Sequence, residues 1–226
     1  MDREAEDLPS QGYHTGTAEA ACAETQRTYD AIAARYAEFN ARLPEGLAEA
    51  SGRFLSMVTP GGRVLDAGCG HGRDMCWLEA SGRPVTGMDL SWGMLQQARL
   101  VSVHLQQMDM RNLGYRDGSF AGIWCCASLV HLDRDQAPAA LGELHRVLAP
   151  GGVLFLSVQP GEGVKWEECP YASGSRWYTR YSQEEMAALL TRSRFTIEHT
   201  GATDGKLRPW LLFYARRQAS RPQEQA

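Results

Sequence analysis

From residue 63 to residue 158 the chain alternates short apolar runs with stretches whose apolar positions recur every three or four residues. The runs Arg63–Asp66, Pro84–Asp89, Val103–Met108, Phe120–Ala127 and Val153–Val158 read as strands. Between them, Arg73–Ser81 reads as a helix. Ser91 is placed to cap another, with Met94, Leu95 and Ala98 on its buried side. The clearest helical period is Ala137, Ala140, Leu141, Leu144, Val147 and Leu148, with Pro138 in its first turn, where a missing N–H costs little. Pro150-Gly151-Gly152 is expected to stop that helix. Upstream, Tyr29, Ile32, Ala33, Tyr36 and Phe39 mark one face of a helix that begins near Ala18. A second helix is predicted over Pro44–Met57, and a turn at Pro60-Gly61-Gly62. Downstream, Ser182-Gln183-Glu184-Glu185 has the spacing of a capping box before Met186, Leu189 and Leu190. Phe195–Thr200 and Trp210–Ala215 read as a final strand pair.

Strand–helix alternation of this kind predicts an α/β fold, a Rossmann-like doubly wound sheet, mostly parallel, with helices on both faces. The helices before the first strand are additional to it. The chain has 226 residues, one domain's worth. The expected organisation is a flexible arm over 1–16, one domain over 17–216 and a flexible tail over 217–226. Within the domain, 17–58 forms a helical cap and 160–181 an insertion on the substrate side.

Composition narrows the partners. The formal charge is −4 and no dense Lys/Arg stripe occurs, which argues against nucleic acid. No apolar run approaches the length of a membrane span, and the acidic start Met1–Asp7 lacks the apolar core of a signal peptide. Six cysteines occur and none forms a C-x-x-C pair, so no metal site is expected. They read as core residues of a reducing, cytoplasmic compartment. Oligomeric state leaves no signature.

Chemistry concentrates at the strand ends. The first strand runs into Asp66-Ala67-Gly68-Cys69-Gly70-His71-Gly72, a glycine turn that brings bare backbone against a ligand. Such turns usually seat a pyrophosphate. Here Asp66 would repel it and would suit a ligand with a positive group. Asp89 ends the second strand 21 positions after Gly68, near the offset at which a carboxylate meets ribose hydroxyls. Asp109 follows the third strand. Its carboxylate can accept from an exocyclic adenine amine, and Met110 can cover the ring. The set suits S-adenosylmethionine, which has no phosphate and carries both an amino group and a sulfonium.

With Tyr29-Asp30-x-x-Ala33-x-x-Tyr36, Val64–Asp74, Val85–Ser91, Met108-Asp109-Met110, Phe120–Leu132 and Glu143–Gly152, the chain resembles the class I S-adenosylmethionine-dependent methyltransferases, in their small-molecule, ubiquinone-type branch. The resemblance covers roughly residues 25–216. It implies a seven-stranded sheet whose last strand is antiparallel, which accommodates the final strand pair. It also implies roles. Gly68 and Gly70 resemble the turn under the methionine part of the cofactor, and Asp66 the acid that steadies it. Asp89 resembles the ribose ligand with Leu90 near adenine, and Asp109 and Met110 the adenine pair. Ala127 and Ser128 resemble the residues beside the methionine tail. Tyr29 and Tyr36 resemble aromatic lid residues, although both also fit as core aromatics at helical spacing.

Methyl transfer from a sulfonium is an in-line displacement that needs alignment and exclusion of water more than a catalytic array. His131, just beyond the fourth strand, is the candidate general base; the competing role is a loop histidine bonded to backbone. His71 reads as a loop filler and His145 as a surface or helix-packing residue. The long segment Gln159–Tyr181 carries Trp166, Arg176, Trp177 and Tyr178, which with Trp210 form the candidate substrate wall. Arg176 has the fork geometry for a substrate carboxylate, and a salt bridge to Glu167 or Glu168 would use it equally well. The predicted activity is methyl transfer to a small-molecule acceptor, compatible with specialised metabolism. Aminocarboxypropyl transfer from the same cofactor and methylation of a peptide are the alternatives. An NAD-linked oxidoreductase is disfavoured by Asp66 and by Asp109-Met110.

Overall fold

The computed structural model describes residues 17–218 apart from Leu43 and Tyr171. The arm expected over residues 1–16 and the tail from 219 onward therefore lie outside the described residues. Two helices open the chain, α1 (Ala18–Phe39) and α2 (Glu45–Met57). Then follow β1 (Val64–Ala67), α3 (Arg73–Ala80), β2 (Val85–Asp89), α4 (Trp92–Ala98), β3 (Leu105–Gln107), β4 (Phe120–Cys126), α5 (Ala137–Val147) and β5 (Leu148–Val158). A hairpin comes next, β6 (Val164–Glu168) and β7 (Ser175–Thr179). After it come α6 (Gln183–Arg192), β8 (Phe195–Asp204) and β9 (Pro209–Arg217). The main sheet has seven strands in the order β3-β2-β1-β4-β5-β9-β8. Its β3-β2-β1-β4-β5 neighbours pair in parallel, and β9 runs antiparallel to both β5 and β8. This is the doubly wound sheet with an antiparallel last strand that was expected. No helix among the described residues is long and apolar enough to cross a membrane.

Strand alternation splits the core in two. Ile123, Cys125, Leu154 and Leu156 face α5 and α6, whereas Trp124, Val153 and Phe155 face α2 and α3. Trp124 centres the second layer. It stacks on Phe155 at 3.7 Å between ring centroids, meets Phe54 and Trp77, and donates its indole N–H to Asp74 Oδ2 at 2.8 Å. Burial of an indole is favourable only with its N–H satisfied, so the first turn of α3 is tied to the sheet by a polar bond inside an apolar layer.

Several elements differ from the sequence expectation. Pro150-Gly151-Gly152 does not lie between helix and strand. Leu148 already pairs with Phe120, and the next partners are Val153 and Gly122, so the three residues form a bulge inside β5. Gly151 has φ +72°, and its carbonyl accepts from Arg216. The helix stops earlier, at Leu148, which is already extended at ψ 136° and pairs with Phe120. β3 is three residues long and Val103 is left exposed, as suits an edge strand. Arg217, expected in the tail, closes β9 against Phe195. At α6, Ser182 Oγ accepts from Glu185 N–H at 3.1 Å, while the Glu185 carboxylate pairs with Arg134. The segment after β5 is the separate β6–β7 hairpin, which lies against α1: Thr28 donates to Ser175 O at 2.9 Å and Thr25 Oγ1 accepts from Trp177 N–H at 3.0 Å.

Replacing Trp124 by Phe keeps an aromatic ring but leaves a buried Asp74 oxygen without its donor. A loss of about 1–3 kcal/mol is expected, as for an unsatisfied buried acceptor, read as a lower urea midpoint at unchanged slope.

Candidate active site

One cavity opens at the carboxyl ends of β1, β2, β4 and β5, under α1 and beside β7 and the β8–β9 loop. Its floor is the glycine turn. Gly68, Gly70 and Gly72 all have positive φ, +83°, +54° and +83°. At Gly68 a Cβ would lie 2.3 Å from Ser128 Cβ, so only glycine lets the β1 and β4 turns meet. A Cβ at Gly70 would meet nothing, which leaves bare backbone beside open space. The turn is anchored to β2: Gly68 N–H and Cys69 N–H both donate to Met88 O.

Asp89 is the junction of this floor. Its Oδ2 accepts from Gly70 N–H and its Oδ1 from Ser91 N–H, both at 2.8 Å. Burial pushes its carboxyl up, against these backbone N–H groups. Asp66 is placed differently from its expected position at the strand tip. It lies inside β1, 1% exposed, is not among the residues that line the cavity, and its Oδ2 has no hydrogen-bond partner. Burial first, then Asp74, holds its carboxyl well above the usual range, with Arg73 opposing. Asp109 and Met110 line the cavity, as do Leu90, Ala127 and Ser128. Burial raises the Asp109 carboxyl, but the Arg111 guanidinium and N–H outweigh it and leave the group below its ordinary value. Arg111 bonds both Asp109 oxygens and reaches Glu19 on α1. Ala127 sits at φ +57°, donates its N–H to Ser157 Oγ, and the neighbouring Ser128 Oγ donates to Ala67 O at 2.7 Å.

The roof is fixed by Asp30. Its Oδ1 accepts from Ser91 Oγ at 2.6 Å and from Gly93 N–H at 2.8 Å, so α1 supplies a negative charge to the first turn of α4. Gly93 permits the approach, because a Cβ there would lie 2.7 Å from Asp30 O. Thus fastened, α1 hangs Tyr29 and Tyr36 over the cavity, edge to face at 5.5 Å.

His131 lies opposite Tyr29. Its Nδ1 is 2.7 Å from Trp177 O and its Nε2 2.9 Å from Tyr29 OH. A carbonyl only accepts, so Nδ1 carries the proton, Nε2 is the lone-pair nitrogen, and the tyrosine hydroxyl donates to it. Burial drives the imidazole down to about 4, aided by Arg176 and Arg208 and opposed by the Trp177 bond. The ring is therefore neutral at neutral pH. Arg176, 4% exposed, donates to Tyr29 OH at 3.3 Å. The guanidinium groups of Arg176 and Arg208 both lie over the Tyr178 ring, at 5.5 and 5.2 Å, and both line the cavity.

Of the expected substrate wall, the cavity takes in Arg176, Tyr178 and Trp210 but not Trp166 or Trp177. The reason is the register of the hairpin. Trp166 pairs with Trp177, the rings meet at 5.3 Å, and strand alternation sends them to the face opposite Arg176 and Tyr178. Trp177 reaches the site only through its carbonyl. Glu167, one of the two acids considered for Arg176, pairs instead with Arg180 and Arg208. Several lining residues had no site role in the sequence, among them Arg73 and His71, which was read as a loop filler. His71 lines the cavity with Nε2 buried and unpartnered, and burial then Arg73 lower it to about 4. Arg73 lines the cavity beside its ion pair with Asp74. The only signal for His71 was its place between two glycines of the turn. His145, expected at the surface or in helix packing, is buried against Phe195. No group of metal-ligating side chains occurs among the described residues.

Known proteins agree with this architecture. A family profile described as a methyltransferase domain matches residues 64–152, from β1 into the bulge of β5. A malonyl-(acyl-carrier protein) O-methyltransferase of Erwinia pyrifoliae is 39% identical over 164 residues, 64% of this chain and 59% of that protein. An uncharacterised methyltransferase of Synechocystis is 30% identical over 150 residues, 62% of this chain and 69% of the relative. The chain spans about half the length of the curated relatives it matches first. Among solved structures, a Burkholderia thailandensis 1,6-didemethyltoxoflavin-N1-methyltransferase with bound 1,6-didemethyltoxoflavin and S-adenosylhomocysteine superposes with a TM-score of 0.75. The match covers 96% of this chain and 100% of that one at 20% identity, a likeness of fold. The profile match over the glycine turn and central strands, with the Synechocystis relative covered over more than two thirds of its length, shows that the chain belongs to the class I S-adenosylmethionine-dependent methyltransferases.

Proposed function

We propose that the chain methylates an oxygen of an acidic small molecule, a carboxylate in the first instance. The observation that carries this is the pair of guanidinium groups, Arg176 and Arg208, flanking Tyr178 on the cavity wall beside a neutral His131. A carboxylate is already deprotonated at neutral pH and needs no strong base. An imidazole held down to about 4 is a weak one. A protonated amine would be disfavoured beside the Arg176 guanidinium, while Arg208 shares its charge with Glu167. Methyl transfer to a malonyl group, in the printed name of the Erwinia relative, is chemistry of this kind.

The cofactor's fit rests on the floor of the cavity. Asp66, buried inside β1 and outside the cavity lining, backs the turn and does not itself touch the ligand. Gly68 and Gly70 present bare backbone where a side chain would intrude or cover it. Each Asp89 oxygen has accepted one N–H and keeps a lone pair for a ribose hydroxyl. Met110 and Leu90 offer an apolar bed for adenine, and Asp109 retains acceptor capacity beside its Arg111 pair. Ala127 and Ser128 shape the wall next to the methionine tail, and Tyr36 closes it from above. When bound, the cofactor supplies a methyl activated on sulfur. The chain's own contribution is alignment and exclusion of water. Tyr29 and Arg176 position the acceptor, and His131 holds the Tyr29 hydroxyl in one orientation. Trp210 and Tyr178 complete the acceptor side. The Trp166 ring has no part in it, and Trp177 contributes through its carbonyl.

Asp89→Asn is expected to weaken S-adenosylhomocysteine binding by about 10- to 100-fold in calorimetry, the worth of a charge-assisted hydrogen bond. Unchanged affinity would remove the ribose role. Tyr29→Phe and His131→Ala are each expected to lower kcat by about tenfold or more while the product-cofactor Kd stays put; parallel losses in both would make the pair structural. Because His131 protonates only near pH 4, kcat should be flat from pH 6 to 8, and an inflection there that disappears in His131→Ala would restore the general base. Across a panel of acceptors, Arg176→Met should raise KM for carboxylates by about tenfold or more and leave KM for neutral amines unaltered. Equal effects on both classes would overturn the acidic acceptor.

A further inference from the structure

A second cleft runs between α5 and α6 and shares no lining residue with the cofactor cavity. Its inner end lies at the amino-terminal edge of the parallel strands, where α5 and α6 finish, β8 begins and β9 ends. His145, Arg146, Arg192, Arg194 and Arg217 converge there. The charges are unevenly matched. Arg146 is neutralised by Glu143 and Asp117, and Arg134 at the outer end by Glu185. Among the described residues no ion pair joins Arg192, Arg194 or Arg217 to an acid.

Helix carboxyl ends attract cations, and this accounts for Arg146 and Arg192 in their last turns and for Nη1 of Arg217, which donates to Arg146 O and Leu148 O at the end of α5. It leaves two facts without a cause. The first is a pair of buried nitrogens with no hydrogen-bond partner, Nε2 of His145, a residue 6% exposed, and Nε of Arg217. Unpartnered buried polar atoms are costly and usually have a reason. The second is Arg194. It takes φ +66° just past α6, the left-handed position that normally falls to glycine. A side chain there has a conformational cost that glycine would avoid. The field of the cleft is positive as well: burial first, then Arg217 and Arg194, keep His145 unprotonated down to about pH 4.

We propose that this inner end of the α5–α6 cleft is a binding site for an oxyanion of the phosphate class, held by the guanidinium groups of Arg194 and Arg217 and by Nε2–H of His145. Phosphate offers several acceptor oxygens to forked donors, and three donors from three elements converge here. The site is independent of the acceptor chemistry assigned to the first cavity.

The test is an NMR titration of the full chain, saturated with S-adenosylhomocysteine so that the cofactor cavity is filled. The His145 ring nitrogens are followed against inorganic phosphate, glycerol 3-phosphate and sodium chloride at matched ionic strength. A saturable shift with phosphate or with the monoester, absent with chloride, is expected. The stronger of the two tells whether a free ion or a phosphorylated molecule is the natural ligand. Arg194→Gly should weaken that binding by about tenfold without lowering the melting temperature, because glycine relaxes the left-handed position. No saturable shift with either phosphate, an equal response to chloride, or parental affinity in Arg194→Gly would each overturn the site.

Discussion

The carboxylate of Asp89 is the tie on which the cavity floor depends. By accepting one N–H from the glycine turn and one from the start of α4, it locks two separate strand-to-helix connections into one surface. Each connection alone is a loop with backbone donors to satisfy. Joined through a half-buried carboxylate, they become a rigid floor at the carboxyl edge of the sheet, where doubly wound folds bind ligands. Asp30 performs the matching task for the roof, since its one oxygen serves both Ser91 and Gly93 at the same helix start. Floor and roof are thus referenced to a single point, the amino terminus of α4.

Polar bonds of this sort make the site a set of preformed contacts rather than a loose apolar pocket. Tyr29 illustrates the economy of the arrangement. Its hydroxyl accepts from Arg176 and donates to His131, whose other nitrogen is held by the Trp177 carbonyl. The chain of bonds crosses from the hairpin to α1 to the turn after β4. It fixes the imidazole tautomer without any carboxylate in contact. Burial and the two arginines then keep the ring uncharged. The histidine that sequence position offered as a base is, in its surroundings, a neutral imidazole with both ring nitrogens already bonded.

Much of the fold was legible because its signals are local. Helix faces in α1, α5 and α6, the acid at the end of β2 and the glycines of the first turn all read directly from spacing. The misreadings share a cause, dependence on a partner distant in sequence. Whether Trp177 or Tyr178 faces the cavity is decided by hairpin register, and register comes from pairing across β6 and β7. Pro150-Gly151-Gly152 has a turn's composition, and only pairing with β4 and β9 absorbs it into a strand as a bulge. Asp66 was placed at a tip because the strand was read one residue short. In the structure Ala67 completes β1, and the acid is drawn inside. His71 carried no periodic signal, and only the path of the turn brings it beside Tyr36.

The position of β9 has a bearing on how the molecule is made. The last strand among the described residues lies not at the rim of the sheet but between β5 and β8. While synthesis is still short of residue 209, β5 has an open flank and β8 has no neighbour to zip against. Such unpaired edges invite intermolecular pairing. The sheet is sealed, and the β8–β9 wall of the cavity set in place, only once the wedge of nine residues, Pro209–Arg217, has been made.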